Sequence, residues 1–137
     1  MDYYVKFNKD CIYVDTSNDR FDVNKLFGFS IGYHHTNSHR FGWNVLDGKI
    51  NIYSYSYVNK KRVIKQLCII EPEKRYKFSI IVKGSNTFFN ILDDDYILSQ
   101  VVVPMGFEKK VWGYKLWPYF GGNKVSPQTI HITLNHL

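Results

Sequence analysis

Between residues 40 and 58 the chain places Asp47-Gly48 in the middle of two runs of alternating polar and apolar side chains, and no other stretch constrains the fold so tightly. A two-residue type I′ turn needs positive φ at both central positions, which Asp-Gly tolerates. Such a turn fixes the register of the hairpin around it. With Leu46 opposite Lys49, one face carries Val45 opposite Ile50, Trp43 opposite Ile52 and Phe41 opposite Ser54. This apolar face is expected to be core. The other face carries Asn44 opposite Asn51, Gly42 opposite Tyr53 and Arg40 opposite Tyr55, with Tyr57 continuing the row. It is polar and aromatic, and faces outward.

The rest of the chain repeats the same grammar, with turn signals about every 8–12 residues and no sustained helical period. The strand-like segments are Tyr3–Asn8, Cys11–Val14, Leu26–His34, Arg40–Leu46, Lys49–Val58, Arg62–Ile70, Tyr76–Val82, Thr87–Leu92, Tyr96–Val103, Val111–Phe120 and Thr129–Leu134. After Val58 the register stays open, because Asn59-Lys60-Lys61-Arg62 allows a loop of two or three residues, and a slip of one exchanges the faces. Composition agrees with strands. Ala is absent, while Tyr, Phe, Ile and Val are abundant, with 11 Tyr and 10 Phe in 137 residues. The same bias also fits an AT-rich gene. One all-β domain spanning 1–137, a sandwich or barrel, is the expectation.

No apolar run approaches the ~20 residues of a membrane span, and no basic flank followed by an apolar stretch opens the chain, so neither a membrane partner nor a secretion signal is expected. The net charge of +6 is compatible with nucleic acid, an anionic polysaccharide or an acidic protein surface. The basic residues, however, scatter at turns (Lys60-Lys61-Arg62, Lys74-Arg75, Lys109-Lys110), and no nucleic-acid partner is expected. Cys11 and Cys68 sit in apolar stretches without metal or redox spacing and read as buried free thiols, although a single disulfide also fits.

Sugar rings present apolar C–H faces that stack on flat aromatics, and their hydroxyls pair with amides and guanidinium. The row Tyr53, Tyr55 and Tyr57 beside Arg40, Asn44 and Asn51 therefore reads as a candidate glycan face, or as a surface packed against a loop or a neighbouring subunit. The segment His34-His35-Thr36-Asn37-Ser38-His39-Arg40 is the densest set of reactive types. Adjacent His residues on a strand point to opposite faces, which leaves His35 and His39 as the pair able to converge, with no carboxylate nearby; no metal is expected. No catalytic residue and no cofactor is assigned. The acidic residues lie in predicted turns rather than paired across one sheet face as in a glycosidase. Asp93-Asp94-Asp95 lacks the spacing of a calcium loop. Neither a nucleophile elbow nor a phosphate-binding glycine loop occurs. A lyase would need a His or Tyr base with Arg or Asn to neutralise a uronate, and Tyr55, Arg40, Asn44 and His131 supply those types.

The segments His34–Trp43 (HHTNSHRFGW) and Leu116–Pro127 (LWPYFGGNKVSP), the latter before Thr129-Ile130-His131-Ile132, carry a resemblance. The chain resembles small concanavalin A-like or jelly-roll β-sandwich proteins of gut Bacteroidota and their tailed phages, including crAss-like phages, from about Leu26 to the end. The resemblance implies a lectin- or lyase-like antiparallel sandwich of about 10–11 strands, with first and last strands paired and Arg40, Asn44, Tyr53 and Tyr55 on a concave sheet. Of the motifs of alginate-lyase-like sandwiches, only Gln128-Thr129-Ile130-His131 is echoed. The expected function is thus non-enzymatic: a virion structural or decoration subunit that meets a protein partner or its own copies, located in the virion if phage-encoded and otherwise cytoplasmic. The alternative is a carbohydrate-binding module using the Tyr/Arg/Asn face, and less favoured is a polysaccharide lyase.

Overall fold

The computed structural model describes residues 1–106, 112–121 and 125–137. Ten strands run through them: β1 (Asp2–Phe7), β2 (Asn24–Ile31), β3 (Ser38–Leu46), β4 (Lys49–Val58), β5 (Lys61–Ile70), β6 (Arg75–Lys83), β7 (Asn86–Asp93), β8 (Tyr96–Pro104), β9 (Gly113–Leu116) and β10 (Ile132–His136). Two short 3-10 turns, Lys9–Cys11 and Asn18–Phe21, complete the regular elements. No helix among the described residues is long and apolar enough to cross a membrane.

The strands form two antiparallel sheets of five, in the orders β10-β1-β6-β7-β8 and β5-β4-β3-β2-β9. Meanders build most of both sheets, and the last two strands then retrace the first two, β10 beside β1 and β9 beside β2. The two sheets pack face to face as an antiparallel β-sandwich. Side chains alternating along the strands fill the space between the sheets.

The hairpin expected at Asp47-Gly48 is present in the register derived from sequence, from Leu46 opposite Lys49 to Arg40 opposite Tyr55. Its two turn residues have φ of 53° and 71°, the positive values that a type I′ turn demands. The register left open beyond Val58 closes with Val58 opposite Lys61, through a second two-residue turn in which Asn59 and Lys60 both have positive φ. A bulge between Ile52 and Tyr53 then shifts the β4–β5 pairing, so that Tyr53 faces Gln66 while Ile52 faces Cys68.

Four expected segments need correction. Cys11–Val14 is not a strand: a 3-10 turn carries Cys11 into the core, where its thiol donates to the carbonyl of His131 at 3.2 Å. Leu26–His34 ends at Ile31, because Gly32 at φ 71° starts a turn that holds His34 and His35. Val111–Phe120 is a strand only over Gly113–Leu116, since Pro118 has no N–H to give to a ladder. Thr129–Leu134 begins later, at Ile132. Val111, Lys109-Lys110 and the Gly122-Asn123 part of the expected glycine turn lie outside the described residues.

Among the described residues, nine buried aromatic side chains pack in the core. Phe41 lies 5.4, 4.9 and 5.1 Å, ring centre to ring centre, from Phe27, Phe78 and Phe89, which ties β2 and β3 to β6 and β7. Trp43 meets Phe7 and Tyr13 edge-on at 5.2 and 5.9 Å. Each such fully buried ring contributes about 1.5–3 kcal/mol through the area it removes from water.

Candidate functional site

On the outer face of the β3–β4 sheet, opposite the core, a cleft of about 560 Å³ opens. Its floor is Arg40 and Ser38 from β3 with Tyr55 and Tyr57 from β4, one end is the turn carrying His34 and His35, and Lys25 of β2 lies at the other side. The far wall is Tyr114 and Leu116 of β9 together with Trp117, Pro118, Tyr119 and Gly121.

Two irregularities build that wall. In β2 the pairing with β3 skips between Lys25 and Gly28, which leaves the carbonyl of Leu26 outside that ladder. Opposite it, the β2–β9 ladder breaks after Gly28–Leu116 and re-forms as a bridge between Lys25 and Tyr119. Trp117 and Pro118 span the gap between these two pairings. Arg40 joins both defects, donating from Nη2 to Leu26 O at 3.1 Å and to Trp117 O at 2.6 Å. Trp117 and Tyr119 are each 59% exposed and Tyr114 is 40% exposed, so all three are accessible from the cleft. His34 Nδ1 lies 2.9 Å from the Tyr114 hydroxyl, and the rings of His35 and Tyr57 sit 5.2 Å apart. The aromatic surface continues beyond the cleft, where Trp112 stacks on Tyr114 with an interplanar angle of 13°.

The electrostatics are one-sided. Lys25, Arg40 and two histidines line the cleft, and no carboxylate among the described residues does. Burial pushes the Arg40 guanidinium down to about 10, its buried Nε makes no hydrogen bond, and backbone carbonyls are its hydrogen-bond partners. Burial also lowers the Lys25 ammonium, which stands 4.8 Å above the Tyr55 ring. His34 is lowered as well, by burial and then by His35 and Arg40.

The six residues expected on this face separate into two groups. Arg40, Tyr55 and Tyr57 line the cleft. Asn44, Asn51 and Tyr53 do not, because they satisfy one another and the backbone. The Tyr53 hydroxyl donates to Asn44 Oδ1 at 3.0 Å, Asn44 Nδ2 donates to Phe21 O, and Asn51 donates to Lys49 O while accepting from Gln66. His35 and His39 do not converge: His39 points into the core, with Nε2 at 3.3 Å from Met105 O and Nδ1 at 3.1 Å from Ser56 Oγ. Instead the two neighbours His34 and His35, freed from strand geometry by the turn, come within 4.2 Å, ring centre to ring centre. No group of three metal-ligating side chains occurs among the described residues. Asp93 of the acidic triplet pairs with Lys74 at 2.7 Å. His131 is remote from the lyase set drawn from sequence, since it precedes β10 in the other sheet and pairs with Asp10. Both cysteines are free.

The sequence reading missed Lys25, Trp117 and Tyr119 as site residues. The Trp-Pro-Tyr run at 117–119, aromatic around a residue that breaks ladders, was the available signal. The fold and this cleft together define an antiparallel β-sandwich with an aromatic, cationic groove on one sheet. Comparison with known proteins adds no relative, as no protein-family model, curated protein or solved structure matches the chain.

Proposed function

We propose that this protein is a non-enzymatic carbohydrate-binding β-sandwich whose site is the cleft between β3–β4 and the Trp117–Tyr119 segment. The observation that carries the reading is the exposed Trp117 on a wall that also holds Tyr119 and Tyr114, set across from the guanidinium of Arg40 and the hydroxyls of Tyr55 and Tyr57. Rings held on one wall stack on the C–H face of a sugar, and donors on the opposite floor take its hydroxyls. A binding role fits better than hydrolysis, because the cleft has no carboxylate pair among the described residues to act as acid and base. A virion-subunit role would use the same surface against a protein. The concave shape favours a narrow polar chain over the broad patch, above ~1,000 Å², of a stable protein interface.

A glycan-array screen tests the reading, with the native chain beside Trp117→Ala and Tyr57→Ala variants whose circular dichroism matches it. Binding by the native chain that both variants lose is the expected result. Glycan binding that both variants retain would move the site elsewhere, and self-association without glycan binding would favour the subunit role.

A further inference from the structure

Resting on that carbohydrate-binding reading, we infer that the ligand is an acidic glycan whose ring carboxylate is held by Arg40 and Lys25. The argument is one of unanswered charge. A buried cation is ordinarily paired, because leaving it unpaired away from water costs far more than an ordinary hydrogen bond returns. Two positive groups elsewhere find acids, Lys74 with Asp93 at 2.7 Å and His131 with Asp10, while the exposed Arg20 and Lys65 donate to backbone carbonyls out in solvent. In the cleft neither Arg40 nor Lys25 has an acid partner among the described residues. Arg40 spends Nη2 on two backbone carbonyls, and Lys25 donates to the carbonyl of Gly121 at 3.3 Å.

Burial disfavours the charged form of Lys25, and Arg40 across the cleft adds to that, with Tyr55 opposing it. An anion seated in the cleft relieves all of this at once. A carboxylate on a sugar ring suits the place, because the rings of Trp117 and Tyr119 hold the flat body of the sugar while the charge meets the floor. A nucleic acid would need a track of cations along its backbone, whereas the cations here are Lys25 and Arg40 within a single cleft.

Titration calorimetry with uronate oligosaccharides decides the matter, using galacturonate, glucuronate and mannuronate tetramers, each beside its neutral methyl ester, with a sulfated tetrasaccharide and a single-stranded oligonucleotide as further arms. At least one acid is expected to bind about 10- to 100-fold tighter than its ester, as charge-assisted hydrogen bonds imply, and the advantage is expected to shrink with added salt. Lys25→Gln is expected to remove most of that advantage, read as the ratio of acid to ester affinity within the variant, whereas Arg40→Gln, which also loses a floor donor and the tie to the wall, is expected to weaken both probes and the acid more. Lys25→Gln leaves the Arg40 bonds intact, so the outcome does not hang on one variant folding. Equal affinity for acid and ester overturns this inference and leaves the glycan reading standing. Binding of the sulfated sugar or the oligonucleotide in preference to every uronate overturns the carboxylate assignment. Binding of no probe by the folded chain overturns both.

Discussion

Arg40 on β3 and Trp117 after β9 lie 77 residues apart in sequence, and a 2.6 Å hydrogen bond from the Arg40 guanidinium to the Trp117 carbonyl holds the two sides of the cleft together. The same nitrogen reaches Leu26 O, so one side chain satisfies carbonyls on both flanks of the irregularities that shape the site. Arg40→Ala is expected to lower stability by about 1–2 kcal/mol, the cost of two carbonyls losing a charged donor where water can partly replace it. Urea denaturation measures this, and an unchanged midpoint would show that the bonds contribute nothing to holding the wall.

His39 gives the fold an acid limit. It is fully enclosed and hydrogen-bonded, and burial lowers its pKa from 6.5 to about 4. Between those two values the unfolded chain binds the extra proton and the folded chain does not. The stability is therefore complete above pH ~6.5 and is lost as the pH falls towards 4, by about 3 kcal/mol in total. Asp10, held below the usual carboxylate range by His131, titrates beneath that window. Unfolding free energies measured from pH 7 to 4 are expected to fall in the native chain and to fall less steeply in His39→Gln, where His34, also lowered, still contributes.

Gly28 sits at the β2 bulge with β3 pressed against it. A Cβ there would run into the carbonyl oxygen of His39 and the Cα of Arg40, both backbone positions that cannot swing aside. Gly28→Ala is expected to cost about 2–3 kcal/mol and to lower the thermal midpoint, whereas Gly48→Asn, at a φ of 71° with nothing near its missing Cβ, is expected to cost far less because Asn tolerates that conformation.

The outer sheet face was legible only where the chemistry is local. Asp47-Gly48 fixes nine consecutive cross-strand pairs by itself, which is why Arg40, Tyr55 and Tyr57 were placed correctly on one face. What closes over that face comes from far along the chain. The 3-10 turn ending at Phe21 takes Asn44 out of play, and the Trp117 segment supplies the second wall; neither follows from the alternation within β3 and β4. The bulge opposite Ile52 and Tyr53, where β5 carries Leu67 as an extra residue between Gln66 and Cys68, likewise has no signature in the alternation of β4. His34 and His35 were read with strand geometry because apolar residues lead up to them, and the single Gly32 that turns the chain reverses the conclusion.

Thiol chemistry checks the packing around the two cysteines. Burial pushes Cys11 up to about 12, with Asp10 adding to the shift, and pushes Cys68 up to about 11. Thiolate is the reactive form, so at pH 8 both should resist iodoacetamide in the folded chain and react together when urea unfolds it. Rapid labelling of Cys11 without denaturant would contradict the buried position beneath β10.

The cleft itself is tested most directly by the indole N–H signals of the three tryptophans in a two-dimensional ¹H–¹⁵N NMR titration with the best uronate oligosaccharide. Trp43 is buried in the core and Trp117 is open on the cleft wall, so each protein molecule carries its own control. The account predicts a saturable shift of the Trp117 signal, identified by its loss in Trp117→Phe, while the Trp43 signal stays in place. Saturable binding that leaves Trp117 unmoved, or no binding at millimolar oligosaccharide, would contradict it.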